Sequence, residues 1–143
     1  MKMPRSRQTH FVLTLKSQPH QVAKVEKFLR DVTKAAQLTQ HQFNALLVVT
    51  TEAVNNGILH GNKQDPEKNV TLTCDIVSDI LTVCVHDEGR GFDAETLPDP
   101  LAKENLFRDH GRGVFLMRSM MDSVSFARSG NGCDVIMTMH IKK

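Results

Sequence analysis

Thr51-Glu52-Ala53-Val54-Asn55-Asn56-Gly57-Ile58-Leu59-His60-Gly61 is the stretch on which the reading of this chain turns. Glu52, Asn56 and His60 recur every four residues, which places them on one polar stripe of a helix. Phe43, Leu46, Leu47, Val54 and Ile58 mark its other, apolar side. The spacing predicts a helix that starts near Thr39, a residue suited to the N-cap, and runs to His60, where Gly61 can end it.

Outward from that helix the chain divides into short elements. Upstream, His10 to Lys16 alternates, with Phe11, Leu13 and Leu15 on one face, and reads as a strand. Pro19 to Gln37 carries Val22, Val25, Phe28, Leu29 and Val32 at helical spacing, with the proline where a first turn tolerates it. Downstream, Asn62 to Asn69 is a polar turn containing Pro66. Val70–Val77 and Ile80–Asp87 alternate and are joined by Ser78 and Asp79, a hairpin. Glu88 to Asp109 shows little periodicity and reads as a long loop, a length that compact domains reserve mainly for function. Gly113 to Met121 is apolar nearly all round and reads as a buried helix. Ser123–Arg128 and Cys133–Ile141 close the chain as a hairpin through Ser129-Gly130-Asn131-Gly132.

The order is β-α-α-β-β-loop-α-β-β, without repeats or linkers. The expected fold is α+β: a two-layer α/β sandwich, its sheet mixed but largely antiparallel, with the helices on one face. At 143 residues the chain fits one domain, 1–143. The formal net charge of +2 gives no reason to expect a nucleic-acid binder. The two Gly-Arg-Gly triplets do not change that, because the chain has no Trp or Tyr to stack bases. Cys74, Cys84 and Cys133 are too widely spaced for a zinc site or disulfide framework. They read as reduced core thiols of a cytoplasmic protein. No apolar run approaches the ~18 residues that span a membrane.

Three segments could carry chemistry. On the Glu52–Asn56 stripe, the amide oxygen of Asn56 suits Mg²⁺, a hard ion that takes oxygen donors. The Glu52 carboxylate could orient or deprotonate an attacking hydroxyl or water. The alternative is a solvated helix face. In Asp87-Glu88-Gly89-Arg90-Gly91-Phe92, Asp87 continues the row of Leu81, Val83 and Val85, while His86 faces the other way. A carboxylate on the buried side needs a donor, and an adenine amino group is one candidate. The alternative is a turn in which Asp87 caps its own backbone. Finally, His110-Gly111-Arg112-Gly113 precedes a helix whose free amides could face an anion such as a triphosphate. No GxxxxGK[ST] is present, so this is not a P-loop chain.

Taken together, E-A-V-x-N-x-x-x-H-G, then D-E-G-x-G-F at the end of a hairpin, then G-x-G at an apolar helix resemble three boxes. They are the N, G1 and G2 boxes of the gyrase, Hsp90, histidine-kinase and MutL ATPase superfamily. The chain most resembles the anti-sigma regulatory branch, the small serine protein kinases that regulate sigma factors, from its first strand to its last. That resemblance implies a histidine-kinase-like ATPase (Bergerat-type) fold and the cofactors ATP and Mg²⁺. It makes Asn56 the Mg²⁺-chelating residue, Glu52 the catalytic base and Asp87 the adenine-reading carboxylate. Gly89 and Gly91 would shape the base pocket. Gly111 and Gly113 would contact phosphates, Arg108 and Arg112 would neutralise phosphate charge, and residues 88–110 would include the lid over the nucleotide. Around the first glycine of the third box, His110 and Arg112 depart from common members.

No preceding helical pair carries a phosphoacceptor histidine, so the acceptor is expected on another protein. The resemblance implies a STAS-type antagonist phosphorylated on serine, a sequestered sigma factor and a homodimer, with no nucleic-acid or membrane partner. Two other readings stand beside it: an ATP-binding regulatory module without phosphotransfer, and a stand-alone ATPase serving a phosphorelay.

Overall fold

The computed structural model describes residues 9–89, 111–130 and 132–141, with backbone alone at 111–113 and 129. Strand β1 spans His10–Lys16. A 3-10 turn, Pro19–Val22, leads into α1, Ala23–Ala36. Gln37 stops that helix in the left-handed region at φ 56°. Thr39 then caps α2, Gln40–Asn56, through a capping box: its hydroxyl accepts from Gln42 N and the Gln42 side chain accepts from Thr39 N. Such reciprocal bonding satisfies two donors that a helix start otherwise leaves orphaned.

The α-helix ends at Asn56, four residues earlier than the sequence predicts. Gly57–Gly61 continues as a π-helical turn, in which Asn62 N donates to Gly57 O at 2.8 Å. The wider turn moves His60 off the four-residue stripe and leaves it exposed. Strands β2, Asn69–Val77, and β3, Ile80–Asp87, form the expected hairpin, with Ser78 at φ 56° in its turn. Helix α3 spans Gly111–Met120, β4 Ser123–Ser129 and β5 Gly132–His140.

The five strands lie in the order β1-β2-β3-β5-β4. Every ladder is antiparallel, so the sheet sits at the wholly antiparallel end of the expected architecture. Alternation decides which face the helices cover. Phe11 and Leu15, Val70, Leu72 and Cys74, Leu81, Val83 and Val85, and Met137 and Met139 are buried from the sheet. Val25, Leu29, Val32, Leu46, Val49, Val54 and Met117 meet them from the helices. The opposite face carries half-exposed threonines, His86 and Asp134.

Helix α3 corrects one expectation. It is not buried all round: Met117 is 1% exposed, whereas Phe115 is 72% and Met120 39%. Its packing against the core falls to one side. Among the described residues no helix is long and apolar enough to cross a membrane. Burial pushes the Cys74 thiol up to about 12 and the Cys84 thiol up to about 11. Cys74 and Cys133 are buried as expected of core thiols, whereas Cys84 is half-buried on the opposite face of the sheet.

Candidate functional site

Asp87 is the last residue of β3, on the side of Leu81, Val83 and Val85, and only 9% exposed. Its Oδ1 accepts from Gly89 N at 2.9 Å. This is the self-capping turn that the sequence allows as an alternative, but it uses one lone pair of a group that can accept about four hydrogen bonds. The cost of burial shows in its acidity. Burial raises the Asp87 carboxyl from 3.8 to about 6, opposed by the Gly89 bond and the nearby His86 and Lys68.

The π-helical turn lies directly against this carboxylate. A Cβ at Gly57 would lie 3.5 Å from the Asp87 Cβ, and a Cβ at Gly61 would fall 2.4 Å from the Asp87 carboxyl carbon. Gly61 is therefore the residue that leaves space for the carboxylate. Gly89 closes the corner from the other side: a Cβ there would stand 1.7 Å from Gly61 O, a backbone atom that cannot swing away. Only glycine fits where two backbones meet this closely.

Asn56 is the last α-helical residue of α2, immediately before Gly57, and half-buried; Glu52, one turn earlier, is half-buried too. The turn after Asn56 thus joins the carboxamide to the Asp87 corner. Among the described residues no group of three or more His, Cys, Asp or Glu could hold a metal ion. A Mg²⁺ at Asn56 fits this donor set only as an ion completed by water and phosphate oxygens, its usual habit.

Gly111 and Gly113 both lie in the first turn of α3, which begins at Gly111 and not at the expected Gly113. Backbone amides of a helix's first turn lack intrahelical acceptors, and donors of that kind suit an anion. Arg112 sits in that same turn. Gly91, Arg108 and most of the expected lid, residues 90–110, lie outside the described residues.

One member of the corner is absent from the sequence reading. Asn62, assigned there to a polar turn, is 1% exposed. Its Nδ2 donates to Ser17 Oγ at 2.8 Å and Asn69 O at 3.0 Å, and its Oδ1 accepts from Glu88 N at 2.8 Å. Gly61 is likewise more than the helix stop that the sequence predicts. The available signal was position: Gly61 and Asn62 directly follow His60, the last residue of the polar stripe.

A family model described as histidine kinase-like ATPase domain matches residues 15–139. The chain belongs to that family, whose description makes ATP the ligand to expect. It is 27% identical over 137 residues to the serine-protein kinase RsbW of Listeria innocua, with 92% of this chain and 87% of the relative covered. It is 26% identical over 145 residues to RsbW of Staphylococcus epidermidis, covering 96% and 91%.

Among solved structures, the RsbU and RsbW domains of a Mycobacterium tuberculosis protein superpose with a TM-score of 0.69 at 14% identity. That match covers 94% of this chain but spans only 32% of the longer one, and it bears on fold alone. The resemblance to the anti-sigma regulatory branch is thereby borne out, and the kinase names of the relatives support an anti-sigma-factor kinase.

Proposed function

We propose that the chain is an ATP-binding serine/threonine protein kinase and anti-sigma factor of the cytoplasm. It phosphorylates a STAS-type antagonist on serine and alternately sequesters a sigma factor, acting as a homodimer without nucleic-acid or membrane partners. The observation that carries the reading is Asp87: a buried carboxylate at a strand end, facing glycines, with acceptor capacity unused by the described residues. An adenine amino group is a donor of the right kind to fill it.

In this reading Asp87 accepts from the base, and Gly89 and Gly91 let the backbone approach its plane. The amides of the α3 first turn, at Gly111 and Gly113, hold the phosphates with Arg108 and Arg112, and residues 88–110 cover the nucleotide. Mg²⁺ held by Asn56 and the phosphates would supply charge neutralisation. Glu52, one helical turn from Asn56, takes the proton as the acceptor serine Oγ bonds to the γ-phosphorus and ADP leaves. Phosphoryl transfer depends mainly on such positioning and charge balance.

Calorimetry with ATP, ADP and GTP, with and without Mg²⁺, tests the site. Adenine-selective binding strengthened by Mg²⁺ supports it, and no binding at millimolar nucleotide sinks it. Labelled ATP with a purified antagonist then tests transfer. Glu52→Ala should keep nucleotide binding but lower transfer by about 10²- to 10⁴-fold, the usual contribution of a general base. Unchanged transfer removes Glu52 from that role. ATP binding without transfer in the unmutated protein would leave the regulatory-module reading in its place.

A further inference from the structure

Asn62 joins four segments of the chain, two of them distant in sequence. Its side chain ties the end of the π-helical turn to Ser17 beyond β1, to Asn69 at the start of β2 and to Glu88 after β3. Ser17 is fully buried and its hydroxyl donates onward to Lys68 O at 2.5 Å. The Glu88 carboxylate returns to Asn69 N, closing a ring of hydrogen bonds. All three contacts of Asn62 use its amide in the one orientation that satisfies them, donors toward Ser17 and Asn69, acceptor toward Glu88.

Glu88 lies between the two residues that shape the corner. Its amide is held by Asn62, while the next amide, Gly89 N, is held by Asp87. Gly89 in turn stands against Gly61 O, one residue before Asn62. The position of the Asp87 carboxylate relative to the turn is therefore set from both sides of Glu88. An exposed polar turn would need none of this, and the residue that Asn62 holds is the one directly after Asp87.

We propose that Asn62 is a positioning residue for the nucleotide site: through Glu88 N it fixes where Asp87 presents its carboxylate, and so sets discrimination for adenine. The claim rests on the reading of Asp87 as the adenine acceptor. Asn62 itself touches no reacting group. Its effect passes through the Glu88–Gly89 backbone.

The test compares Asn62→Ala with Ser17→Ala, which removes a bond on the side away from Asp87. Asn62→Ala should speed hydrogen exchange at the Glu88 and Gly89 amides by about tenfold beyond any change at Val83 in mid-strand, the ratio expected for one lost hydrogen bond. It should also lower the ATP-over-GTP affinity ratio by about tenfold. Ser17→Ala should lower Tm while leaving both readouts at their wild-type values. Asn62→Asp, which keeps an acceptor for Glu88 N, should recover part of the Glu88 protection. Exchange at Glu88 and Gly89 that merely follows Val83 overturns the proposal, as does an unchanged ATP-over-GTP ratio in a folded Asn62→Ala protein. Should that variant not fold, the wild type decides: fast exchange of the Asn62 side-chain amide protons overturns the proposal, and slow exchange supports it. A wild type without adenine preference would instead remove the reading of Asp87, and the exchange comparison would still judge the hold on Glu88.

Discussion

Asp87 and Asp134 are carboxylates at the same end of the sheet, on opposite faces, the first buried and the second half-buried, and their surroundings have settled their uses differently. Asp134 pairs across the β3–β5 ladder with His86, Nδ1 to Oδ1 at 2.5 Å. Asp87, the next residue after His86, has one backbone amide and a pKa raised by burial. A carboxylate with a cationic or donor side chain opposite it is a structural element. One that is desolvated, flanked by glycines and left with lone pairs to spare is suited to a ligand.

The largest effect should come from crowding the Asp87 corner. Gly89→Ala would force a Cβ against Gly61 O and should cost ~3 kcal/mol of stability, the upper end for overpacking, together with nucleotide binding. A chemical melt checks the first and calorimetry the second. If the variant kept wild-type stability, the backbones would not meet as closely as described.

Next in size is Asp87→Asn, nearly the same shape without the charge. ATP affinity should fall by about ten- to a hundredfold, the worth of a hydrogen bond to a charged group. Undiminished binding would break the contrast with Asp134. The pH dependence has a definite sign. The folded-state value of about 6 lies above 3.8, so folding binds a proton between them, and this contribution to stability is present below 3.8 and lost as pH rises through about 6. Ligand-free wild type should therefore lose Tm relative to Asp87→Asn across that window. ATP affinity should move oppositely, strengthening as Asp87 ionises.

The smallest effect should be Asp134→Ala. The pair it breaks is partly exposed, with side chains 32% and 16% accessible, and such pairs are worth ~1 kcal/mol or less. ATP affinity should not change. A loss matching that of Asp87→Asn would mean that the two faces are coupled through β3.

Much of this architecture is legible in the sequence because it rests on period. Phe11, Leu13 and Leu15, and Val135, Met137 and Met139, announce their strands by alternation, and Thr39 announces a helix start. The position of Asp87 follows from the same counting. What period cannot deliver is a change of pitch. Nothing in Gly57-Ile58-Leu59-His60-Gly61 distinguishes α from π spacing, so the four-residue period carries the predicted stripe on to His60. Contacts between distant segments are equally silent, and Asn62 looks like any turn asparagine until Ser17 and Glu88 are beside it. Helix α3 misled for a third reason: Phe115 is apolar yet 72% exposed, and hydrophobicity alone does not say which side of a helix has neighbours.

The turn at Gly57–Gly61 has a consequence for how this chain tolerates insertion and deletion. A π turn is an α-helix with one residue too many, so its length is an address as well as a shape. Removing one residue between 58 and 60 would let the turn close to ordinary α pitch and change the spacing of Gly57 and Gly61, the two glycines that lie against the Asp87 side chain. Every residue of the motif except one would still be present. In this region a count of residues matters as much as their identity, and a relative that matches letter for letter but is one residue shorter would not carry the same corner.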